Sequence, residues 1–275
     1  MCGRFTSRTP VADVAAWFGV DEVVAAADRP RRYNVAPTDE VLVVASSAGG
    51  ERRRLGEARW GLVPGWADGP GIGARMINAR AETLLEKAAF RRSFARRRCL
   101  VPADGFYEWE KAPPAGEPGP GARKAGSKQP WLIEPAGGGL FAFAGLWDSW
   151  HPPGDGTQRL VSCTIVTTGA NATMAALHDR MPAMLAAEHW DAWLDPDNDD
   201  LAGLRGLLVP APDDAIVLRP VSRAVGDVRN DGPGLLEAPP DAPASPAGPA
   251  VPVPEAEAEV EAVAVADELF PDSRG

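Results

Sequence analysis

Cys99-Leu-Val-Pro-Ala-Asp-Gly-Phe-Tyr-Glu-Trp109 is the stretch on which the fold class turns. Its two halves, Cys99–Pro102 and Gly105–Trp109, are apolar and aromatic and read as strands. Three more strand-like runs follow with no helix between them, at Trp131–Glu134, Leu140–Trp147 and Leu160–Thr168. Upstream, Val41–Ala45 is another short apolar run of strand type. Helices flank this block. Thr9-Pro10, then Val11, Val14, Ala15 and Phe18, then Gly19, predicts a short helix capped by Thr9 and closed by Gly19. Thr83-Leu-Leu-Glu86 has capping-box spacing and predicts a helix from there to about Arg96, with Arg91, Arg92 and Arg96 on its basic face. Ala186–Leu194 predicts a helix stopped by Asp195-Pro196. Strands and helices do not alternate regularly. The expected class is therefore α+β, with a mainly antiparallel β-sheet core and flanking helices, rather than a doubly wound parallel sheet.

The chain has 275 residues, enough for one sizeable domain, and its 45% hydrophobic and 24% charged residues are ordinary for a soluble globular protein. No apolar run approaches the ~18–20 residues of a membrane span, and no basic stretch followed by an apolar region opens the chain. Three scattered cysteines, Cys2, Cys99 and Cys163, make neither a disulfide framework nor a four-ligand zinc site. A reducing, cytoplasmic setting is expected, with no metal and no organic cofactor. Neither GxxxxGK[ST] nor GxGxxG occurs, and there is no internal repeat.

Charge divides the chain. Residues 235–275 hold nine acids and one base, which accounts for −8 of the net −10. Residues 1–110 hold 17 bases, 16 of them arginine, against 14 acids. Arginine forks match phosphate, although a GC-rich coding bias gives the same composition. The tail, Pro/Ala-rich and then acidic, lacks the apolar surface to offset its ordering entropy. The expected organisation is one folded domain over 1–234 and a disordered tail over 235–275. Ala112–Lys128 reads as a Pro/Gly-rich loop ending in Arg123, Lys124 and Lys128.

Met1-Cys2-Gly3-Arg4-Phe5 carries the chemistry. A small second residue permits removal of Met1, which leaves Cys2 with both a free α-amine and a thiol. Their ordinary pKa values are about 7.7–8.0 and about 8.5, so both have a nucleophilic fraction near neutrality. A 1,2-aminothiol condenses with an aldehyde: the amine forms an imine and the thiol closes it to a thiazolidine. The bland alternative is a cysteine placed by accident on a flexible terminus. Condensation also needs an acid, a base and a group that holds the amine. Of the histidines, His178 lies in Leu177-His178-Asp179-Arg180-Met181-Pro182, read as a loop before a helix and facing a cleft. His189 reads as structural and His151 as surface. Glu108 lies on an aromatic strand, where burial would raise its pKa and suit it to proton transfer. Strand periodicity favours the other orientation, with Glu108 facing solvent.

Seven segments, in order, resemble the SRAP (SOS-response-associated peptidase) family. They are Met1–Phe5, Arg32-Tyr-Asn-Val-Ala-Pro37, Arg59-Trp-Gly-Leu-Val-Pro-Gly-Trp66, Ile77-Asn-Ala-Arg-Ala-Glu-Thr83, Cys99–Trp109, His178-Asp-Arg-Met-Pro182 and Val221-Ser-Arg-Ala-Val-Gly226. The resemblance implies a single SRAP-like domain that senses abasic sites on single-stranded DNA. It implies a covalent thiazolidine crosslink through Cys2, with an abasic-site lyase side activity from the same imine. Carried over by motif, Cys2 is the nucleophile, Asn78 holds its amine, Glu108 moves protons at the amine and sugar, and His178 is the acid/base for ring opening and imine formation. Arg4, Arg80 and Arg180 would bind phosphates, which positions a strand without reading its sequence. Asn34, Pro37 and Trp66 would also meet DNA. Trp60 is expected in the core, while Trp66 is divided between core packing and base stacking. Ala67 stands where some relatives carry a second bulky residue, which alters the shape of any DNA wedge.

Two other readings remain open on the residues alone. One is a thiol peptidase or amidase, possibly self-processing, built on Cys2, His178 and Glu108. The other is a DNA-binding module without chemistry. The tail reads as a solubilising spacer; a sharper reading notes that Ala266-Asp-Glu-Leu-Phe270 resembles peptides that bind bacterial sliding clamps. The expected partner is abasic single-stranded DNA. The expected state is a monomer on the nucleoid, with no membrane partner.

Overall fold

A computed structural model describes residues 2–47, 49–50, 52–110, 128–154, 158–240 and 242. Most of the Ala112–Lys128 loop, and the tail with its clamp-like Ala266–Phe270 peptide, lie outside the described residues. In chain order the strands are β1 (Phe5–Ser7), β2 (Glu22–Val23), β3 (Arg32–Val35), β4 (Glu40–Ser46), β5 (Arg53–Trp60), β6 (Asn78–Arg80), β7 (Arg98–Ala103), β8 (Gly105–Trp109), β9 (Pro130–Pro135), β10 (Phe141–Trp150), β11 (Leu160–Gly169), β12 (Arg180–Pro182) and β13 (Ile216–Pro220). The α-helices are short: α1 (Val11–Phe18), α2 (Ala88–Arg96), α3 (Ala172–Ala175), α4 (Trp190–Leu194) and α5 (Leu201–Gly206). The class is α+β and strand-dominated, as the sequence order predicts.

Asp104 and Gly105 mark where the chain changes sheet. β7 lies between β10 and β4 in a large sheet ordered β12-β11-β10-β7-β4-β5-β2, whereas β8 lies between β9 and β1 in a second sheet ordered β13-β9-β8-β1-β3. Most pairings are antiparallel. A parallel pairing of β5 with β11 (Trp60↔Cys163) closes β11-β10-β7-β4-β5 into a ring. One face of the ring packs with the second sheet through Val41, Val43, Trp60, Val101, Phe143, Ile165, Phe5 and Phe106. The other face carries Leu42, Val44, Leu100 and Leu146 against α1, α2, α4 and α5. Gly145 serves the crowded face that meets the second sheet: a Cβ there would come within 2.8 Å of Cys99 Sγ.

Several local expectations are corrected. Thr9 does not cap α1; Pro10 is the N-cap residue, and the Thr9 hydroxyl donates instead to Asp104 Oδ1 at 2.6 Å. Gly19 does close the helix in the left-handed conformation (φ 58°). The capping box at Thr83 is not used. Ala81–Thr83 is a 3-10 turn that follows directly on β6, Leu84 is buried against the helix face of the ring, and α2 starts only at Ala88. His178 precedes a strand, β12, rather than a helix, because Arg180–Pro182 pairs along β11 (Gly169↔Arg180, Thr167↔Pro182). The boundary at 234 falls inside a 3-10 turn, Pro233–Leu236, whose Leu235 is buried with Tyr107, Leu132, Val221 and Val225. The packed chain therefore continues through Leu236. Among the described residues no helix is long and apolar enough to cross a membrane.

Candidate active site

The amino terminus is drawn into the molecule by β1. Phe5 pairs with Phe106 and Thr6 with Gly105, and Tyr107 N–H donates to Arg4 O at 2.9 Å. This ladder carries Cys2 toward Glu108 and leaves the residue 1% exposed. Asn78 Nδ2 donates to Cys2 O at 2.7 Å and fixes its backbone. Asn78 is itself set by the parallel pairing of β6 with β11 (Ile165↔Asn78). Its neighbour Ile77 accepts from Trp60 Nε1 at 2.9 Å and from Ile165 N–H at 3.1 Å. Asn78 Oδ1 is buried without a hydrogen-bond partner among the described residues, so one acceptor stands in reserve beside the Cys2 backbone.

Glu108 is only 8% exposed, which corrects the solvent-facing orientation that periodicity favours. Burial lifts its carboxyl above the usual carboxylate range, against the pull of nearby positive charge that includes His178. Burial likewise pushes the Cys2 thiol up, and the Glu108 charge adds to the rise. Cys2, Glu108 and His178 are thus in electrostatic reach, in that order. Arg180 N–H donates to His178 Nδ1 at 2.9 Å, and Asp179 Oδ1 also lies 2.9 Å from that nitrogen.

The remaining predicted residues take different positions. Arg4 Nη1 donates to Asn34 Oδ1 and to Val225 O, both at 2.8 Å. Asn34 is fully buried, and its Nδ2 donates to the carbonyls of Val225, Asp227 and Asn230. It therefore presents nothing to solvent; it positions Arg4. Pro37 is half-buried two residues beyond β3, and Arg80 is exposed at the end of β6. Arg180 pairs with Glu82 and donates to Thr167 O at 2.6 Å. Trp60 is in the core, whereas Trp66 is 62% exposed. The Trp66 loop is tied down by Gly65 N–H to Asp148 Oδ2 (3.1 Å) and Val63 N–H to Ser162 Oγ (2.8 Å). Ser162 lies three residues before Ile165 on β11, so the loop's anchor is ~10 Å along the strand from the Asn78 pairing.

Sequence reasoning missed Glu82 and Thr167, which hold Arg180. Glu82 sits inside the Ile77–Thr83 segment, but an exposed glutamate two residues after an arginine carries no signature of its own. The carbonyls of Val225, Asp227 and Asn230 were equally out of reach, because a backbone acceptor leaves no mark on residue identity.

The model of the family "SOS response associated peptidase (SRAP)" matches residues 1–228. The abasic site processing protein YoqW of Bacillus subtilis is 40% identical over 237 residues, covering 86% of this chain and 99% of the relative. The abasic site processing protein HMCES of Xenopus tropicalis is 34% identical over 238 residues, covering 75% of this chain and 65% of the relative. A solved structure from Bacteroides thetaiotaomicron superposes with a TM-score of 0.72 at 23% identity, over 86% of this chain and all of that one, and shares the fold. A phage-related protein from Bordetella bronchiseptica superposes with a TM-score of 0.57 at 28% identity, over 80% of this chain and 94% of that one. With the family model matching residues 1 to 228 and a relative 40% identical along nearly its whole length, the chain belongs to the SOS response associated peptidase (SRAP) family.

Proposed function

We propose that this chain processes abasic sites in DNA, and that it does so by capturing the ring-opened sugar aldehyde of single-stranded DNA on Cys2 after Met1 is removed. The observation that carries the reading is the setting of Cys2: buried, held through its carbonyl by Asn78, and in electrostatic reach of Glu108. Relatives named abasic site processing proteins support the substrate class.

The chemistry balances without an added reagent. The Cys2 amine, as free base, adds to the aldehyde carbon, and the carbonyl oxygen takes up a proton to give a carbinolamine. Loss of that hydroxyl as water gives the imine. The thiol then adds across C=N: a C–S bond forms, the thiol proton ends on nitrogen, and one water is released overall. Ring closure is intramolecular and strongly favoured. Glu108, with its raised carboxyl pKa, is suited to take the ammonium proton near neutrality. His178, in electrostatic reach of Glu108, is suited to protonate the departing oxygen. β-Elimination from the imine is the lyase side path. Arg80, Arg180 and Arg4 supply phosphate contacts, and Trp66 offers an exposed ring for base stacking, worth about 1–3 kcal/mol per base.

The raised thiol pKa bears on the peptidase alternative. A thiol peptidase attacks as thiolate, which the burial of Cys2 and the charge of Glu108 both disfavour. Amine-first condensation needs no thiolate at the outset. The test is a denaturing gel with intact-mass detection, using a single-stranded oligonucleotide that bears one abasic site. A heat-stable one-to-one adduct on the Met1-less terminus is expected, and none with Cys2→Ala. Equal crosslinking by Cys2→Ala overturns the reading.

A further inference from the structure

Arg180 already holds an anion. Its Nη1 and Nη2 donate to Oε1 and Oε2 of Glu82 at 2.6 and 2.9 Å, the two-pronged geometry in which a guanidinium also takes a phosphate. The Arg180 bond holds the Glu82 carboxyl below the usual range against some burial, and the Arg80 charge adds to the effect. Of the cations assigned above to phosphate, Arg180 is therefore paired with a carboxylate, and Arg80 is near enough to act on that carboxylate's charge. Arg180 is not saturated by it: Nε is buried without a hydrogen-bond partner among the described residues.

The two partners are not equally anchored. The Arg180 side chain is 15% exposed and is also bonded to Thr167 O. The Glu82 side chain is 54% exposed, in a single 3-10 turn (Ala81–Thr83). Moving Glu82 into water requires only rotamer changes, whereas moving Arg180 breaks its tie to β11. The acid is the partner that yields.

We infer that Glu82 is a specificity-determining residue: it is the resident anion of a phosphate subsite at Arg180, and a backbone phosphate of the bound strand displaces it. The inference rests on the reading that this chain binds single-stranded DNA. A strand outcompetes Glu82 because its binding also releases condensed counterions. A lone sugar phosphate or small anion has no such gain, so the subsite admits polymer in preference to free metabolites.

The test uses the full chain and an unmodified single-stranded oligothymidylate, so that no covalent step intervenes, with fluorescence anisotropy over a salt series. Glu82→Gln should bind about two- to fivefold tighter than wild type at ~0.1 M salt, the scale of an exposed ion pair. Its plot of log affinity against log salt should keep close to the wild-type slope, because the same phosphate is contacted once Glu82 has moved aside. In an Arg180→Ala background the Glu82→Gln gain should vanish, since the cycle isolates the pair. Equal or weaker binding by Glu82→Gln, with wild type binding normally, overturns the inference and leaves the abasic-site reading standing. Absence of strand binding by wild type overturns both.

Discussion

Glu108 is where stability and chemistry pull apart. Its carboxyl is raised by burial, so between the unfolded and folded pKa values the folded state binds more protons than the unfolded one. Stability therefore falls as pH rises through that window, and the loss stays in force above the folded pKa. Glu108→Gln has no charge to bury. It should melt higher than wild type at about pH 8, with the gain disappearing below the unfolded value of about 4.3. A pair of thermal melts at the two pH values checks this. Under the proposed mechanism the same substitution should slow crosslinking by about 100-fold or more, because it removes the base assigned there to free the amine. In wild type the acid limb of the crosslinking rate should lie above the ordinary glutamate range, since the ionised form is the working one. An enzyme-like site that keeps a destabilising group for its chemistry is the usual exchange between stability and activity.

At the scale of elements, Arg98 joins two helices that lie far apart in sequence. It is 3% exposed and heads β7. Its guanidinium donates to Phe94 O and Ala95 O near the end of α2 (both 2.7 Å) and to Trp193 O in α4 (2.6 Å), with a further bond to Asp195 O. These are carbonyls of the kind that helix ends leave unpaired. Burial lowers the Arg98 pKa to about 10, so it remains charged near neutrality. Arg98→Met should cost about 3 kcal/mol or more, because several buried carbonyls lose their donor together. A lower urea midpoint with an unchanged slope is the expected readout. Elements of this kind separate what was legible in the sequence from what was not. The strands within Cys99–Trp109 and from Trp131 to Thr168 were legible because continuous apolar runs bounded by turns mark them. That β7 and β8 belong to different sheets was not, since nothing in Ala103-Asp104-Gly105 states which partners each strand takes. Periodicity pointed Glu108 toward solvent for a related reason: β8 is buried on both faces, with Phe106 in the main core and Tyr107 in a second cluster, so alternation does not report solvent. The motifs marked Cys2, Asn78 and Glu108, which the fold brings together, while Glu82 and Asn34 have partners that only the fold supplies.

At the scale of the whole molecule, a strand that reaches the site has to approach a chain of net charge −10. Ending the chain after Pro240 removes eight acids and one base and brings the formal charge to −3. It retains Leu235, which packs with Tyr107, Val221 and Val225, and Val225 O is one of the two close acceptors for Arg4. Thermal stability should therefore be unchanged by this cut, whereas ending the chain after Gly232 removes a buried leucine and should cost about 2 kcal/mol. The charge effect acts on encounter rather than on the site. At ~0.02 M salt the shorter chain should associate with a single-stranded oligonucleotide several-fold faster than the full chain, with dissociation little altered. Above ~0.3 M, where screening confines electrostatics to a few ångströms, the two should converge. Stopped-flow association across that range decides the matter. A difference that persists at high salt would mean that residues 241–275 touch the strand or the site directly, while identical rates at low salt would mean that their charge never faces the incoming DNA.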